Sequence, residues 1–462
     1  MSDSPGMMRA ERVRRLKAGV GESRGGFVAY VMYASHRVNH NYALEYAVQR
    51  ANELRKPVAV IFPIIEKKPH PNLRRFRFML ENLLKMRREL SRRNIKLVVR
   101  KNFEFTSLLK EAGLVVVDRP YLTHQRRFVD EVVVNAGSEV VMVEGDVVVP
   151  VEVASQRPEP YARTIRPKIV KNLEKFLEPL PAQAPQTSSL QLDMPSWDEE
   201  TVEDYLKGLD VDPTVEPVGY FVGGEDEAMR RLTVFVSSRL DVYAEKRSDP
   251  GAEACSELSP YLRWGMVCPV QVLLAASKKF GFDNVNMQSL VNEIVVWREL
   301  ARNAAVFNPL YGSYDGLPEW ARQTLENHAS DRREHVYSLH ELENAETHDK
   351  YWNAAQRELQ RTGKIHNYMR MYWCKKLIEW TDHPRTAFEY AVYLNDRYGL
   401  DGVDPNSYLG ISWCFGAFDR PFFETKIYGK IRKMTEESLK RKPGINKYLN
   451  LHTAGGGGPA GI

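Results

Sequence analysis

The stretch PVAVIFPI, Pro57–Ile64, decides the fold class. It is a continuous apolar run, and the segments on either side of it, residues 43–56 and 74–94, have the pattern of amphipathic helices. Four more β-rich runs follow the same alternation: FVAYVMY (27–33), IKLVVRK (95–101), GLVVVDRPYL (113–122) and SEVVMVEGDVVVP (138–150). Apolar strands that alternate with amphipathic helices predict an α/β domain with a parallel, doubly wound sheet.

Sheets of this kind bind ligands beyond the carboxyl ends of their strands. This half of the chain has no GxGxxG motif and no P-loop. The glycine cluster GESRGG, residues 21–26, precedes a strand, whereas a phosphate-binding loop follows one. We therefore expect no nucleotide fingerprint of either type here.

The second half of the chain has helical patterns, as in residues 225–247, 291–307 and 363–380. A segment rich in Pro, Gln and Ser separates the two halves, and we expect few strong elements in it. The predicted organisation is a basic N-terminal arm or short helix (1–24), an α/β domain (25–153), a linker (154–223), an all-helical domain (224–450) and a disordered Gly-rich tail (451–462).

Composition limits the classes of function. The chain has 462 residues, a formal charge of +5 and a pI of about 8.8, which alone does not indicate a nucleic-acid partner. A dense basic run does occur in residues 426–444. The four cysteines form no CxxC pair, no apolar run is long enough to span a membrane, and the N-terminus lacks a secretory core. We expect a reduced, intracellular, monomeric protein without a metal site or a membrane anchor.

Tryptophans mark the helical half. Trp373 and Trp380 are seven residues apart, so on one helix their Cα atoms would be ~10.5 Å apart and their indoles would lean to the same side. Trp352 lies 21 residues before Trp373. Glu293 and Trp297 share a face at i, i+4 spacing, and a Glu in an apolar helix favours a buried, functional carboxyl. Taken alone, an aromatic stripe at helical spacing is more often core packing.

Several strings together carry a specific resemblance. They are VASQRPEPYARTIRPK (153–168), RLDVYAEKRSDP (239–250), SELSPYLRWG (256–265), NEIVVWRE (292–299), THDKYWNAAQREL (347–359), MRMYWCKKLIEW (369–380), LNDRYGLDGVDPNSYLGISW (394–413) and DRPFFETKIYGKIRKM (419–434). In this order and spacing the chain resembles the class II cyclobutane pyrimidine dimer photolyases, within the photolyase–cryptochrome superfamily. The resemblance extends from about residue 12 to residue 449.

The resemblance implies an N-terminal α/β domain joined to an all-helical domain that holds FAD. It implies light-driven splitting of a pyrimidine dimer in damaged duplex DNA, by electron transfer from excited, reduced FAD. It assigns FAD binding to Tyr243, the turn Ser256, Glu257, Leu258 and Ser259, and Arg370, Asn395 and Asp401. In the family, the matching Arg and Asp form an ion pair beside the flavin ring, and the matching Asn faces flavin N5.

The resemblance also assigns the remaining site residues. Trp352, Trp373 and Trp380 match a chain of indoles that carries electrons from the surface to the flavin, with Trp373 nearest the flavin. Glu293 matches the carboxyl that hydrogen-bonds the dimer, and Trp297 and Trp413 match the aromatic walls around it. The expected contacts to lesion and DNA are Arg247, Asn367, Met371, Arg420, Lys430, Arg432 and Lys433.

Three stretches depart from the family pattern. Asn367 stands where class II sequences usually have Gly, and WCFGAFDR (413–420) is one residue shorter than usual. ASHRVNHNYALEYA (34–47) replaces a family string in the first domain. A second, antenna chromophore of deazaflavin or folate type occurs in the superfamily, and this replacement leaves its presence and identity open.

Three other functions compete with dimer repair. A cryptochrome-type photoreceptor would share the fold and FAD, but such proteins often have long C-terminal extensions. A (6-4) photolyase would have a His pair where this chain has His366 and Asn367, followed by Arg370. A DNA-binding helical protein without a cofactor would not need the tryptophan spacing or the loop Asn395–Asp401.

Overall fold

The computed structural model describes residues 8–19 and 25–453. Within these residues, six strands form one sheet. The strands are β1 Val13–Lys17, β2 Phe27–Val31, β3 Val58–Ile64, β4 Lys96–Lys101, β5 Ala112–Asp118 and β6 Glu139–Val143.

The sheet has the strand order β1-β6-β5-β2-β3-β4. Strands β2 to β6 are parallel, with β5 and β3 on either side of β2, so the winding direction reverses between β2 and β5. This confirms the predicted α/β fold class. Strand β1 differs from the prediction, because the basic segment expected to be a helix or an arm pairs antiparallel with β6. Residues 1–7 and 20–24 of that segment, and with them most of GESRGG, lie outside the described residues.

Helices cover both faces of the sheet and form the rest of the chain. They are α1 Tyr42–Leu54, α2 Leu73–Arg92, α3 Thr106–Glu111, α4 Thr123–Asn135, α5 Val151–Ala154, α6 Ala162–Phe176, α7 Val202–Lys207, α8 Glu225–Val234, α9 Tyr243–Lys246, α10 Ser259–Arg263, α11 Pro269–Ser277, α12 Val285–Val291, α13 Arg298–Phe307, α14 Glu319–Asn327, α15 Leu339–Glu343, α16 Lys350–Thr362, α17 Asn367–Trp380, α18 Pro384–Tyr398, α19 Pro405–Cys414, α20 Glu436–Lys440 and α21 Ile445–His452. Two π-helical segments interrupt this pattern, at Phe235–Arg239 and Asn292–Trp297.

Strands β2, β3 and β5 are buried along their whole length, which explains why their sequences are apolar on both faces. The run SEVVMVEGDVVVP forms a strand only over β6. Val147, Val148 and Val149 are buried outside any strand, and the backbone N–H groups of Val148 and Val149 donate to Glu299 at 2.6 and 3.1 Å. A long-range partner on α13 thus overrides the local β pattern.

The connecting segment 154–223 is more ordered than expected, because it contains α6 and α7. It also packs on the helical half: Asn303 of α13 accepts from the backbone N–H of Glu159 and donates to the carbonyl of Arg157. At the other end of the chain, α21 reaches His452, so the predicted tail begins as helix. Residues 454–462 of that tail lie outside the described residues.

A buried ion network joins the sheet to the helices. Arg302 of α13 is only 1% exposed and pairs with Asp146, which follows β6, at 2.8 Å and with Asp404, at the start of α19, at 3.2 Å. Arg298 contacts Asp146 as well. Burial alone would raise the pKa of Asp146, but the two arginines outweigh it and the pKa is lowered.

Among the described residues, no helix is both long and apolar enough to cross a membrane. Nor does any group of three or more His, Cys, Asp or Glu side chains in residues 8–19 and 25–453 have the arrangement of a metal site.

We predict that Arg302→Ala lowers the free energy of unfolding by about 3 to 5 kcal/mol, because it leaves Asp404 buried without its ion-pair partner and leaves Asp146 with Arg298 alone. The matched control is Arg385→Ala, which breaks an exposed pair with Asp315 and costs at most about 1 kcal/mol. Urea titration followed by far-UV circular dichroism measures both variants. Equal, small losses in the two variants would contradict the structural importance of the buried network.

Candidate functional site

Arg370 lies at the centre of a polar network in the helical half. Its Nη2 donates to both oxygens of Asp401, each at 2.9 Å, and the hydroxyl of Ser259 donates to the same carboxylate at 2.8 Å. The structure therefore brings together α17, the loop before α19 and the start of α10. The predicted ion pair between Arg370 and Asp401 is present, and Ser259 is its third member.

Asn395, on α18, is buried beside this network. Its Oδ1 accepts from Arg370 Nη1 at 3.2 Å, and its Nδ2 donates to Asp396 at 3.0 Å. A carboxylate can only accept, so these two partners fix which end of the amide faces Arg370. Asp396 is itself held by the backbone N–H of Val403 at 2.7 Å.

The predicted cofactor turn lies directly before α10. Ser256 Oγ accepts from the backbone N–H of Leu258 at 3.4 Å, and Leu258 is fully buried. Glu257 has the left-handed φ of 58° and pairs with Lys364 at 3.3 Å. Tyr243 is also buried, and burial followed by the charge of Glu293 raises its pKa. All the predicted cofactor residues are therefore fixed by packing or by hydrogen bonds.

Three indoles form a continuous series of ring contacts, one stacked and one edge to face, which is called the indole stack below. Trp352 lies between the other two, with ring centres 6.1 Å from Trp373 (11° between planes) and 5.8 Å from Trp380 (65°). Trp352 also donates its Nε1–H to the carbonyl oxygen of Trp373 at 2.9 Å. The seven-residue spacing of Trp373 and Trp380 therefore does not make them neighbours; it leaves room for a residue from α16 between them. Trp373 lies one helical turn from Arg370.

The outer end of this stack differs from the expectation of a surface tryptophan. Trp380 is only 2% exposed, because Tyr337 and His348 cover it with ring centres at 5.6 and 5.2 Å. His348 is exposed and Tyr337 is half-buried. The sequence contains no periodic signal for these two residues, since each lies more than 30 positions before Trp380.

Glu293 and Trp297 lie in the π-helical segment Asn292–Trp297. Such segments are often found at functional sites, and their wider turn alters the face that an i, i+4 pair shares. Arg247 pairs with Glu293 at 3.2 Å, which joins two residues predicted for separate roles. Burial raises the pKa of Glu293, and the nearby charge of Arg247 reduces that rise without cancelling it.

Trp297 and Trp413 are both half-buried and belong to different apolar clusters of the protein. The Nζ of buried Lys375 lies 5.2 Å from the ring centre of Trp413. Cys414 donates its S–H to the carbonyl oxygen of Met371 at 3.8 Å, so this turn of α17 lies against the end of α19. Asn367 is exposed at the first residue of α17, one turn before Met371.

Four of the five predicted DNA-contacting cations are exposed, and the fifth, Arg247, is half-buried. Arg420, Lys430, Arg432 and Lys433 all lie in the segment after α19. The guanidinium carbons of Arg420 and Arg432 lie 5.5 and 5.6 Å from the centre of the Phe422 ring. One aromatic ring therefore holds together two arginines that are twelve positions apart.

A second cationic group lies near the carboxyl ends of the strands. The Nζ of Lys68 and the guanidinium of Arg263 lie 5.7 and 3.9 Å from the ring of Trp264, and within the described chain neither side chain forms an ion pair. Burial, with the charges of Arg263 and Arg75, lowers the pKa of Lys68 to about 7. Burial also lowers the pKa of nearby His36 to about 3, so that His36 is neutral. Sequence reasoning missed this group because its members come from separate loops.

The chain is similar to known photolyases in both sequence and structure. A family profile described as DNA photolyase matches residues 28–186. The chain is 42% identical to the deoxyribodipyrimidine photo-lyase of Methanothermobacter thermautotrophicus, over 96% of this chain and 98% of the relative. It is 35% identical to the Arabidopsis thaliana protein of the same name, over 95% and 92%. A bacterial class III photolyase from Agrobacterium tumefaciens superposes with a TM-score of 0.73 at 20% identity, over 93% of this chain and 86% of that one.

We predict a pH signature for Glu293. Its raised pKa means that the folded protein binds this proton more tightly than the unfolded chain, so the stabilising contribution is complete below the unfolded pKa and is lost as pH rises through the folded one. As pH rises from about 4, near the ordinary pKa of a Glu side chain, through the raised pKa of the folded protein, the stability of the wild type should therefore fall relative to Glu293→Gln. Urea unfolding across that range measures this difference in stability, and Glu131→Gln, at an exposed position of α4, is the control. A difference that stays constant with pH would contradict the assignment.

Proposed function

The chain belongs to the DNA photolyase family, and we propose that it is a class II deoxyribodipyrimidine photo-lyase that repairs cyclobutane pyrimidine dimers in DNA under light. The observation that carries the proposal is Arg370, which is held by Asp401 and Asn395 and lies one helical turn from a stack of three indoles. The strings that match class II sequences from residue 153 to residue 434 support the class.

The residues present fit FAD. The group would be held by Tyr243, Ser256, Glu257, Leu258, Ser259, Arg370, Asn395 and Asp401. When bound and reduced, FAD supplies the electron that light excitation delivers to the dimer. Arg370 offers a positive charge that favours a negatively charged ring, and Asp401 orients that charge by accepting from both Nη2 hydrogens. Asn395, with its orientation fixed, retains one amide N–H for a ring nitrogen.

The lesion would be held between the two half-buried indoles. Photolyases are a known example of enzymes that flip the target base out of the helix, at a cost of a few kcal/mol. Stacking on Trp297 and Trp413, at ~1–3 kcal/mol per base, is large enough to offset that cost. Asn367 and Met371, on the same face of α17, would border the dimer.

Glu293 would hydrogen-bond the dimer. Its raised pKa favours the protonated carboxyl, which can donate to a base carbonyl that gains negative charge during the reaction. Arg247 pairs with this carboxyl at 3.2 Å and would contact DNA as well.

The stack Trp373–Trp352–Trp380 would carry electrons inward. Indoles suit this role because they are oxidisable and remain packed, and these three rings are nearly in contact. Tyr337 and His348 would link Trp380 to solvent. On the outer surface, Arg420, Lys430, Arg432 and Lys433 would bind DNA phosphates.

A second chromophore of deazaflavin or folate type stays a prediction. The half-buried cations Lys68 and Arg263, beside the ring of Trp264, could hold the anionic part of such a pigment. An absorption band that FAD does not explain, in the spectrum of the purified protein, would show that a second chromophore is bound.

We predict that Glu293→Ala slows repair by roughly 10- to 100-fold, because it removes one hydrogen bond to a group that becomes charged. The measurement is single-turnover repair of an oligonucleotide with one thymine dimer, by chemically reduced protein under near-UV light. Glu131→Ala, at an exposed position of α4, should repair at the wild-type rate. FAD-containing wild type that repairs nothing would instead favour a cryptochrome-type photoreceptor.

We predict that Trp352→Phe abolishes light-driven reduction of bound FAD, because it removes the central ring of the stack. Repair by the chemically reduced variant should remain, since that electron does not travel through the stack. Trp197→Phe, in the connecting segment, is the matched control. Normal light-driven reduction in Trp352→Phe would rule out this path.

A further inference from the structure

The string VASQRPEPYARTIRPK (153–168) is one of those that match the family, yet no step of the proposed reaction uses it. Its last part begins α6, which packs on the π-helical segment Asn292–Trp297. Arg166 is exposed on this helix, and its guanidinium reaches the side chain of Asn292. Asn292 in turn donates to Glu293. A chain of hydrogen bonds therefore runs from the connecting segment to the carboxyl that would bind the dimer.

Arg166 determines which way the amide of Asn292 faces. The guanidinium Nη2 donates to Asn292 Oδ1 at 2.6 Å. A guanidinium is always charged and has no acceptor, so the amide oxygen must face it. The Nδ2 of Asn292 consequently faces the other way, where it donates to Glu293 Oε1 at 3.1 Å.

Two donors face the same carboxyl oxygen of Glu293. Arg247 Nη1 lies 3.2 Å from Oε1, the oxygen that also accepts from Asn292. Among the described residues, no group donates a hydrogen bond to Oε2. When Glu293 is protonated, the proton therefore lies on Oε2, since a proton on Oε1 would point at two donors. The hydroxyl at Oε2 is thus free to donate to a bound base.

A reversed amide at Asn292 would have the opposite effect. Its oxygen would face Glu293 and would accept the carboxyl proton itself. That proton would then no longer be free for a base. Arg166 disfavours this arrangement, because the reversed amide would turn its own NH2 group toward the guanidinium.

The charged and titratable groups around Glu293 come from two helices and the turn after one of them. Arg166 lies on α6, Tyr243 begins α9, and Arg247 follows α9. Burial raises the pKa of Glu293. Arg247 opposes that rise most, followed by the hydrogen bond from Asn292 and the charge of Arg166. Removing either Asn292 or Arg166 therefore raises the pKa of Glu293 further.

We infer that Arg166 and Asn292 are positioning residues for repair: Arg166 orients the amide of Asn292, and this amide directs the proton of Glu293 toward the dimer. The inference rests on the proposed function, and it gives the connecting segment a part in the reaction. The two residues act on the donated proton and not on the stacking of the dimer. Their replacement should therefore change the rate of repair more than the affinity for DNA.

The first test is single-turnover repair by chemically reduced protein, across the pH range in which Glu293 titrates. On the low-pH plateau, Arg166→Met and Asn292→Leu should each be roughly two- to tenfold slower than the wild type, the range expected for one hydrogen bond. The pH at which the rate falls should be higher in both variants, because each has lost a group that favours the charged carboxylate.

Two further variants serve as controls for the first test. Arg163→Met removes an exposed charge from the same helix, next to the ring of Tyr161, and should match the wild type. Arg166→Lys retains a donor for the amide oxygen and should restore most of the rate. Unchanged plateau rates in both Arg166→Met and Asn292→Leu overturn the inference.

The second test separates positioning from direct contact with DNA. If Arg166 acts only through the amide, its replacement has no further effect once Asn292 is leucine. The double variant Arg166→Met/Asn292→Leu should therefore be as slow as Asn292→Leu alone. An additional loss in the double variant, or a loss of DNA affinity as large as the loss of rate, means that Arg166 binds DNA itself and overturns the inference.

Infrared spectroscopy distinguishes failure of this inference from failure of the proposed function. The C=O band of the protonated Glu293 carboxyl, assigned as the band that Glu293→Gln lacks, gives the titration midpoint of this side chain without any repair. Midpoints that shift to higher pH in Arg166→Met and Asn292→Leu, in a wild type that repairs nothing, contradict the proposed function and leave the hydrogen-bond chain in place. Midpoints that stay at the wild-type value contradict the chain, whether or not the protein repairs DNA.

Discussion

The buried loop Gly399–Asp404 holds the two halves of the protein together. Its carbonyl groups accept from both halves of the protein: the carbonyl of Gly402 from Arg75 of α2 at 3.1 Å and from Arg263 at 3.0 Å, and that of Leu400 from the indole of Trp264 at 3.0 Å. Its side chains do the same, because Asp401 binds Arg370 and Ser259 while Asp404 binds Arg302. A loop this polar can be buried because its carbonyl and carboxylate oxygens accept from arginine, indole, hydroxyl and backbone donors. The sheet, α10, α13 and α17 thereby take fixed positions around one short segment.

The site uses the same residues for packing and for chemistry. Trp352 and Trp373 are among the largest fully buried side chains, and their indole N–H groups are satisfied by a backbone carbonyl and by Gln356. A ring that is buried and hydrogen-bonded keeps a constant distance to its neighbour. Electron transfer between rings depends on that distance. The tryptophans can therefore serve both core packing and electron transfer. The activity of a variant at these positions must be compared with that of the wild type under conditions in which both proteins are folded.

The fold class could be predicted because the strand signals are local: β2, β3 and β5 are apolar along their length and are buried along their length. The pairing of Arg370 with Asp401 could be proposed from the resemblance, since both residues lie in the quoted strings. The resemblance did not predict the pairing of Arg247 with Glu293, because it assigned these two residues to separate roles. Contacts that depend on three-dimensional closure could not be predicted. Strand β1 pairs with a segment more than 120 positions away, and Trp352 enters between Trp373 and Trp380 from another helix. The contact of Arg420 and Arg432 with the ring of Phe422 likewise depends on how the loop after α19 folds back on itself.

The most direct measurement follows thymine absorbance near 260 nm in an oligonucleotide that carries one dimer, mixed with reduced wild-type protein, in light and in darkness. Splitting the cyclobutane ring restores the two conjugated bases, so absorbance should rise only under illumination and should stop when every dimer is consumed. The account predicts this light-dependent rise. Absorbance that stays flat in light, from protein that contains reduced FAD and binds the oligonucleotide, would contradict it.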